Sequence, residues 1–374
     1  MLLFVAVLLL FIALFPYLIY LTGIYFGRKS DELIPLRIFP NISIIISAYN
    51  EEQVIDTRIA NIQNCLYPKE CIEIIFIDDC SSDNTLNLAT SCLERSGIKY
   101  HLIANAERSG TNRSYNTAIS RANYPIIVTT DADVFFEPDA LNYLIGRLLS
   151  NEKIAAVTGE LRPLINSNST TMLEGVYRSF YGRMCDWEST IDSTYNFNGA
   201  LVAFRSDLIK RINDKQGADD ANTAFEAIRR GYRAVYEKKA IVYEDIPRSF
   251  KTQYRQKTRR ATGLIEATLA NLDLLGKKNP FSRFFYPLRI FMYLCTPILF
   301  SLFLAVFFLS VFQYSQIFLI VLVVLLSAAG IFWRQNLFFA FILNQFYLIA
   351  GLLNLGKDMR VWESTSDKKK VKSS

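Results

Sequence analysis

The stretch Ile126-Ile127-Val128-Thr129-Thr130-Asp131-Ala132-Asp133 decides the fold. Its first five residues are apolar or β-branched, as in a strand buried on both faces. It then runs into two carboxylates one residue apart. On an extended chain alternate side chains share a face, so Asp131 and Asp133 are expected to point the same way. Two like charges at the mouth of an apolar strand repel unless a cation sits between or beside them. Hard divalent cations take oxygen ligands, so a metal carrying phosphate suits this pair. Taken alone, an Asp-x-Asp is more often a strand ending in a polar turn.

The residues upstream repeat the same plan. Ile42 to Ala48 reads as a buried strand, and Tyr49-Asn50-Glu51-Glu52 turns it into a helix with Val54, Ile55, Ile59 and Ile62 on one face. Ile72 to Ile77 is a second strand ending in Asp78-Asp79-Cys80-Ser81. Ser82 or Asp83 is placed to cap a helix from Thr85 to Arg95. Tyr100 to Ile103 reads as a third strand and Tyr115 to Ala122 as a third helix. Strand and helix alternate up to the opening stretch, which is the signature of a parallel sheet with helices on its faces. Ligands bind such sheets outside the carboxyl ends of the strands. Polar residues gather at three of those ends: Tyr49 to Glu51, Asp78-Asp79, and Asp131 with Asp133.

Downstream, Met172 to Trp187 carries Val176, Tyr177, Phe180, Tyr181, Met184 and Trp187 at helical spacing. That pattern fits a core-facing helix or one at a membrane interface. Phe197 to Phe204 is strand-like around Gly199, a residue that allows close approach. Gln216 to Asp220 opens a helix running to Gly231. Ser249 to Leu275 is a long helical region. Its first half is basic (Lys251, Arg255, Lys257, Arg259, Arg260) and its second half has Leu264, Ile265, Thr268 and Leu269 on one face. It is suited to lie on a membrane, with the basic groups toward headgroups or toward the site.

Composition narrows the chemistry. Of 374 residues, 51% are hydrophobic, and they are unevenly spread. Leu2 to Tyr25 holds no charge and is long enough to span a bilayer. It lacks the basic start and small-residue cleavage site of a signal peptide, which favours a retained helix. A second apolar block from Phe291 to Leu355 divides into spans near 291–311, 316–333 and 337–355. Four spans would place both termini on the far side, whereas the tail Lys368-Lys369-Lys370 favours the cytoplasm. Six cysteines show neither a Cys-x-x-Cys pair nor zinc spacing, so reduced thiols are expected. His101 is the only histidine, which excludes His-based metal sites and Ser-His or Cys-His catalysis. Acid/base chemistry falls to carboxylates. The net charge of +6 suits an anionic membrane surface. The basic residues are scattered and form no nucleic-acid module, so no nucleic-acid partner is expected.

In this order the motifs are recognisable. Ser47-Ala48-Tyr49-Asn50-Glu51, Asp78-Asp79-Cys80-Ser81, Asp131-Ala132-Asp133, Phe197-Asn198-Gly199-Ala200, Ala218-Asp219-Asp220 and Gln256-Lys257-Thr258-Arg259-Arg260 together resemble the family-2 glycosyltransferases. The likeness covers about residues 40–265 and is nearest to the membrane-integrated branch: chitin, hyaluronan, cellulose and poly-N-acetylglucosamine synthases, and ceramide glucosyltransferase.

The resemblance implies an α/β domain of glycosyltransferase-A type, Rossmann-like with a mostly parallel sheet, plus transmembrane helices. It implies an inverting mechanism and a nucleoside-diphosphate sugar donor. Ala48, Tyr49 and Glu51 match the turn that meets the nucleotide, and Asp79 the carboxylate that binds base or ribose. Asp131 and Asp133 match the pair that holds the donor and its Mg²⁺ or Mn²⁺. Asp220 matches the catalytic base, with Asp219 in place of the commoner Glu. Gln256, Arg259 and Arg260 match the Gln-x-x-Arg-Trp signature near acceptor and diphosphate, except that Arg260 stands where the signature has Trp. That departure weakens a processive polymer synthase. Loop 108–113 lacks the Lys of the family's donor loop, and Arg108 or Arg113 is the basic group that remains.

The expected layout is an N-terminal transmembrane helix (1–27) and a cytosolic catalytic domain (40–248). Interface helices with the Gln-x-x-Arg-Arg element (249–283), a C-terminal transmembrane region (284–356) and a basic tail (357–374) follow. The expected protein is a multi-pass enzyme of the cell membrane with a lipid-linked or growing-glycan acceptor. Two alternatives are a polyprenyl-phosphate sugar synthase, which usually lacks the Gln-x-x-Arg-Arg element, and a non-catalytic nucleotide-sugar-binding membrane protein.

Overall fold

The computed structural model describes residues 1–33, 36–164, 169–213, 217–247, 249–314 and 337–357. The expected span 316–333, the tail beyond 357 and Gln216 lie outside them.

Strand β1 (Ile42–Ala48) shows how the domain is layered. Ile42, Ile44 and Ile46 face α2 (Ile55–Gln63), α3 (Thr85–Ser96) and α5 (Ala140–Leu149). Ile45 faces the other way, with α4 (Thr111–Ile119). Each of these isoleucines is fully buried, worth about 1.5–3 kcal/mol relative to exposure. An apolar residue on both faces is what a sheet sandwiched by helices requires. β2 (Ile72–Asp78), β3 (Lys99–Ala104) and β4 (Ile126–Asp131) complete the parallel part.

Five further elements extend the domain: β5 (Val134–Phe136), β6 (Ile154–Pro163), α6 (Ser169–Ile191), β7 (Val202–Arg205) and α7 (Asp219–Arg229). With β8 (Arg233–Glu244) the sheet has eight strands in the order β3-β2-β1-β4-β7-β6-β8-β5. β7 is antiparallel to both β4 and β6, β6 and β8 run parallel, and β5 is antiparallel to β8. The sheet is mixed but mostly parallel. The chain winds outward from β1 to β2 and β3, then returns to β4 on the other side. That reversal at β1 and β4 is the switch point where ligands bind. Register levels the strand ends there: Ala48 is opposite Asp78, and Ser47 opposite Asp131.

Helix α8 (Phe250–Ala270) follows, and then a helical rod. The rod begins with a π-helical turn, continues through α9 (Tyr286–Ile290) and passes through a second π-helical turn into α10 (Thr296–Tyr314). α1 (Leu2–Phe26) and the rod (Phe281–Gln313) are both long and apolar enough to cross a membrane, and α11 (Leu337–Leu353) is a shorter apolar helix. α1 and the rod are locked to α6 by a buried polar knot. Arg289 Nε donates to Glu188 Oε1 at 2.7 Å, and the Tyr20 hydroxyl donates to the same oxygen.

Several boundaries differ from expectation. β4 stops at Asp131, so Asp133 lies in the turn to β5 and not on the strand. α4 begins at Thr111, ahead of Tyr115, because Gly110 at φ +81° turns the chain straight into the helix. Only Val202–Arg205 of the stretch 197–204 is strand. Asn198 Nδ2 donates to Gly159 O at 2.7 Å and holds residues 197–201 out of the ladder. The boundary expected at 283/284 falls inside the rod, whose early polar residues, Ser282 and Arg289, are buried. α6 proves core-facing, with Phe180, Tyr181 and Met184 buried.

Candidate active site at the carboxyl ends of the strands

One cleft of about 810 Å³ opens at the switch point. All twelve residues of the expected site line it: Ala48, Tyr49 and Glu51 at the end of β1, Asp79 after β2, Arg108 after β3, Asp131 and Asp133 at the end of β4, Asp219 and Asp220 at the start of α7, and Gln256, Arg259 and Arg260 on α8. Gly199 sits between two of them. A Cβ there would lie 3.8 Å from Asp131 Oδ2 and 4.0 Å from Asp219 Oδ2, so the bare glycine leaves the space between the carboxylates open.

The turns after β1 and β2 are knitted to each other. Asn50 and Cys80 adopt positive φ, at +54° and +64°, and are the only non-glycine residues to do so among the described residues. Such conformations persist only where surroundings hold them. Here Ser82 N donates to Asn50 Oδ1 at 2.8 Å and Asn50 N to Ser81 Oγ at 3.0 Å. Asp79 then anchors the loop that closes the cleft. It accepts from Asn105 Nδ2 and Ser109 N at 2.8 Å, Gly110 N at 3.0 Å and Arg108 Nε at 3.3 Å. Burial raises its pKa, but these donors outweigh burial and hold it below the usual carboxylate range. Arg108 lies over the Tyr49 ring, 3.2 Å from its centroid.

The central carboxylates behave in the opposite way. Burial comes first and mutual repulsion second in raising Asp219 to about 8 and Asp133 to about 7. Burial also raises Asp220 to about 6, against the Ala221 amide that donates to it at 2.7 Å. Asp131 is raised too, by burial and Glu244, with Arg260, Arg259 and Arg58 opposing. A cluster of carboxylates that resists ionisation is primed for a cation.

The position of Asp219 and Asp220 is set by α8. Gly217, at φ +78°, runs so close to that helix that a Cβ would come within 2.6 Å of the Ala267 nitrogen, and Ala218 N donates to Gly263 O at 3.2 Å. The basic half of α8 faces this cleft. Arg260 donates to Glu244 through both terminal guanidinium nitrogens, Nη1 and Nη2. Glu244 also accepts from Arg178 Nη2 at 2.6 Å, and Arg178 Nε donates to Glu174 at 2.7 Å. Glu174 in turn pairs with Lys257. Burial pushes Glu244 up, yet the two arginines hold it down at about 2.

Sequence reasoning missed Glu174 and Arg178, one turn apart on α6, and Glu244, which is 66 residues beyond Arg178; none matches a motif. It also missed Arg58, buried beneath β4, with Nη2 2.8 Å from Thr130 Oγ1 and its guanidinium 4.0 Å from the Phe136 ring centroid. An arginine on the apolar face of α2 was the available signal.

Residues 43–209 match the sequence model of Glycosyl transferase family 2. The chain carries a family 2 glycosyltransferase domain. Among curated relatives, "Probable glycosyltransferase YdaM" of Bacillus subtilis is 29% identical over 260 residues, 66% of this chain and 61% of that protein. "Poly-beta-1,6-N-acetyl-D-glucosamine synthase" of Staphylococcus aureus is 26% identical over 298 residues, 76% of this chain and 70% of that one. The chain thus spans less than two thirds of the first relative's length and 70% of the second's. Among solved structures, "Mannosyltransferase PcManGT from Pyrobaculum calidifontis in complex with GDP-Man and Mn2+" matches with a TM-score of 0.82 at 23% identity. That match covers 96% of this chain and 100% of that one, and it is a likeness of fold. The fold is of glycosyltransferase-A type, and the matched domain belongs to a family of transferases.

Proposed function

We propose that this transferase is a membrane-bound, inverting enzyme. It moves a sugar from a nucleoside-diphosphate sugar to a lipid-linked or growing-glycan acceptor at the cytosolic face of the membrane. The observation that carries the reading is the meeting of Asp131, Asp133, Asp220 and Arg259 in one cleft whose wall includes Ala340 and Leu343 of the apolar helix α11. The complexed nucleotide sugar and Mn²⁺ of the mannosyltransferase with the same fold support the donor class and the metal.

The donor set fits Mg²⁺ or Mn²⁺. Among the described residues no group of three or more His, Cys, Asp or Glu is placed to hold an ion unaided. Such ions are often held by one or two carboxylates with substrate phosphates completing the shell, and Asp131 with Asp133 supplies that pair. When bound, the metal would neutralise charge on the leaving diphosphate. Arg259 adds positive charge on the same side, since its neighbours include Asp131 and Asp219. Ala48, Tyr49 and Glu51 line the nucleotide end. Asp220 removes the proton of the acceptor hydroxyl as that oxygen attacks the anomeric carbon from the face opposite the diphosphate. One displacement inverts the configuration.

The test is purified full chain in detergent, supplied with membrane lipid extract and screened against labelled nucleotide sugars, with product mass read out. Transfer to an extractable product is the expected result. Donor binding with neither hydrolysis nor transfer would replace this reading with a non-catalytic nucleotide-sugar-binding protein.

A further inference from the structure

Arg260 belongs to a chain of alternating charges that crosses three elements: Lys257 and Arg260 on α8, Glu174 and Arg178 on α6, and Glu244 at the end of β8. Exposure along this chain is uneven. The side chains of Glu174, Arg178 and Glu244 are 9%, 10% and 6% exposed, whereas that of Arg260 is 40% exposed and lines the cleft. A buried carboxylate therefore stands behind a guanidinium whose remaining surface opens to the site. Glu244 is itself fixed twice. Its backbone is paired with Val134 of β5, just past Asp133, and its side chain is clamped by Arg178. It lines the same cleft as Asp131 and Asp133, so left to itself its negative charge would repel the donor's diphosphate. Its charge is covered by Arg178 and Arg260.

We propose that Glu244 is a positioning residue: it holds the Arg260 guanidinium beside Asp131 and Asp133, where it meets the leaving diphosphate. The inference rests on the donor assigned above. It gives Arg260 a task different from the stacking an aromatic would perform at that position. Arg178 and Glu174 matter because they hold Glu244 still. An arginine on a flexible side chain loses rotamer freedom when it binds phosphate, and a buried carboxylate that fixes it beforehand removes that cost. Preorganised positive charge of this kind acts mainly on the transition state.

The experiment is a double-mutant cycle on the full-length enzyme in detergent, reading kcat and KM for the nucleotide sugar. Arg260→Met and Glu244→Gln are each expected to lower kcat/KM about tenfold or more, the scale on which groups that orient a ligand act. Once Arg260 is gone Glu244 still meets Gln256 of α8, but through a long 3.5 Å contact from its Nε2, so the double variant should lose little more than Arg260→Met alone. Arg260→Lys should recover part of the loss in the wild-type background and none in the Glu244→Gln background. Additive losses would show that Glu244 acts through the fold and would overturn the assignment. If Glu244→Gln does not fold, Arg178→Met, which loosens Glu244 without removing it, must show the same non-additivity with Arg260→Met; additivity there also overturns it. A wild-type enzyme that turns over no nucleotide sugar fails the function assigned above. A wild-type enzyme that turns over with an additive cycle fails this inference alone.

Discussion

On one side of the cleft, every polar group sits within a few residues of a strand end: Tyr49 after β1, Asp79 after β2, Asp131 and Asp133 after β4. On the other side, the charges are spread from Glu174 to Arg260 and meet through ion pairs across α6, β8 and α8. The first side is fixed by sheet register, which carries groups to a common edge without any contact between their side chains. The second is fixed by side-chain pairing, which tolerates almost any order in sequence. The carboxylates also differ in protonation. Glu244, and Asp79 at the rim, are held low by the donors around them, whereas Asp131 and Asp133, with Asp219 and Asp220 at the start of α7, are raised. One wall arrives already neutralised and the other awaits a cation.

This contrast explains what was legible. β1 and β2 could be read to within a residue because a two-faced apolar strand has few competing interpretations. The residues of the site were readable wherever they lay in a short motif next to such a strand. Glu244 ends β8 in the sequence Val-Tyr-Glu-Asp, which nothing local separates from a strand running into a polar turn. Arg178 sits among aromatic residues at helical spacing, and only the fold brings it to Glu244. The stretch 197–201 misled because its apolar residues suit a ladder, while the Asn198 side chain takes the hydrogen bond that keeps it out.

The largest effect should come where the two walls meet the reaction. Asp220→Asn is expected to reduce transfer about 10³-fold, within the usual range for general base catalysis, with donor binding retained. Substantial turnover in a purified assay would move the base to Asp219. Asp133→Asn should cost about 10²-fold in kcat/KM and raise the Mg²⁺ or Mn²⁺ concentration needed for half-maximal rate. The same change should raise the Tm of the ligand-free protein at pH 8. A carboxylate whose folded pKa is about 7 favours the fold below its unfolded value, and that contribution is lost as pH rises through 7. Asparagine removes this unfavourable charge. A lowered Tm at pH 8 would mean that the fold favours the charged form of Asp133, as it does that of Glu244.

The acidic side of the pH profile separates the walls further. With Asp220 at about 6, its basic form is lost at a higher pH than that of a free aspartate. Turnover at saturating donor and metal should therefore fall about tenfold between pH 7.5 and pH 5. The paired wall should be indifferent over this range, since Glu244 stays ionised down to about 2. A profile flat to pH 5 would place the proton acceptor elsewhere.

The smallest effect concerns the rim of the first wall. Arg108 is one of several donors to Asp79, and Asn105, Ser109 and Gly110 would keep the loop anchored without it. What Arg108→Ala removes is a single positive charge lying on the Tyr49 ring at the nucleotide end. A partly exposed charge of this kind acts on binding more than on chemistry and is worth about 1 kcal/mol or less. The expected result is a rise of a few-fold in the donor KM (about threefold) with kcat unchanged. A loss on the scale expected for Arg260, appearing in kcat, would show that Arg108 reaches the diphosphate in the transition state. The strand-end wall would then also carry charge to the leaving group, and the division between the two sides of the cleft would be less sharp than the resting ion pairs make it.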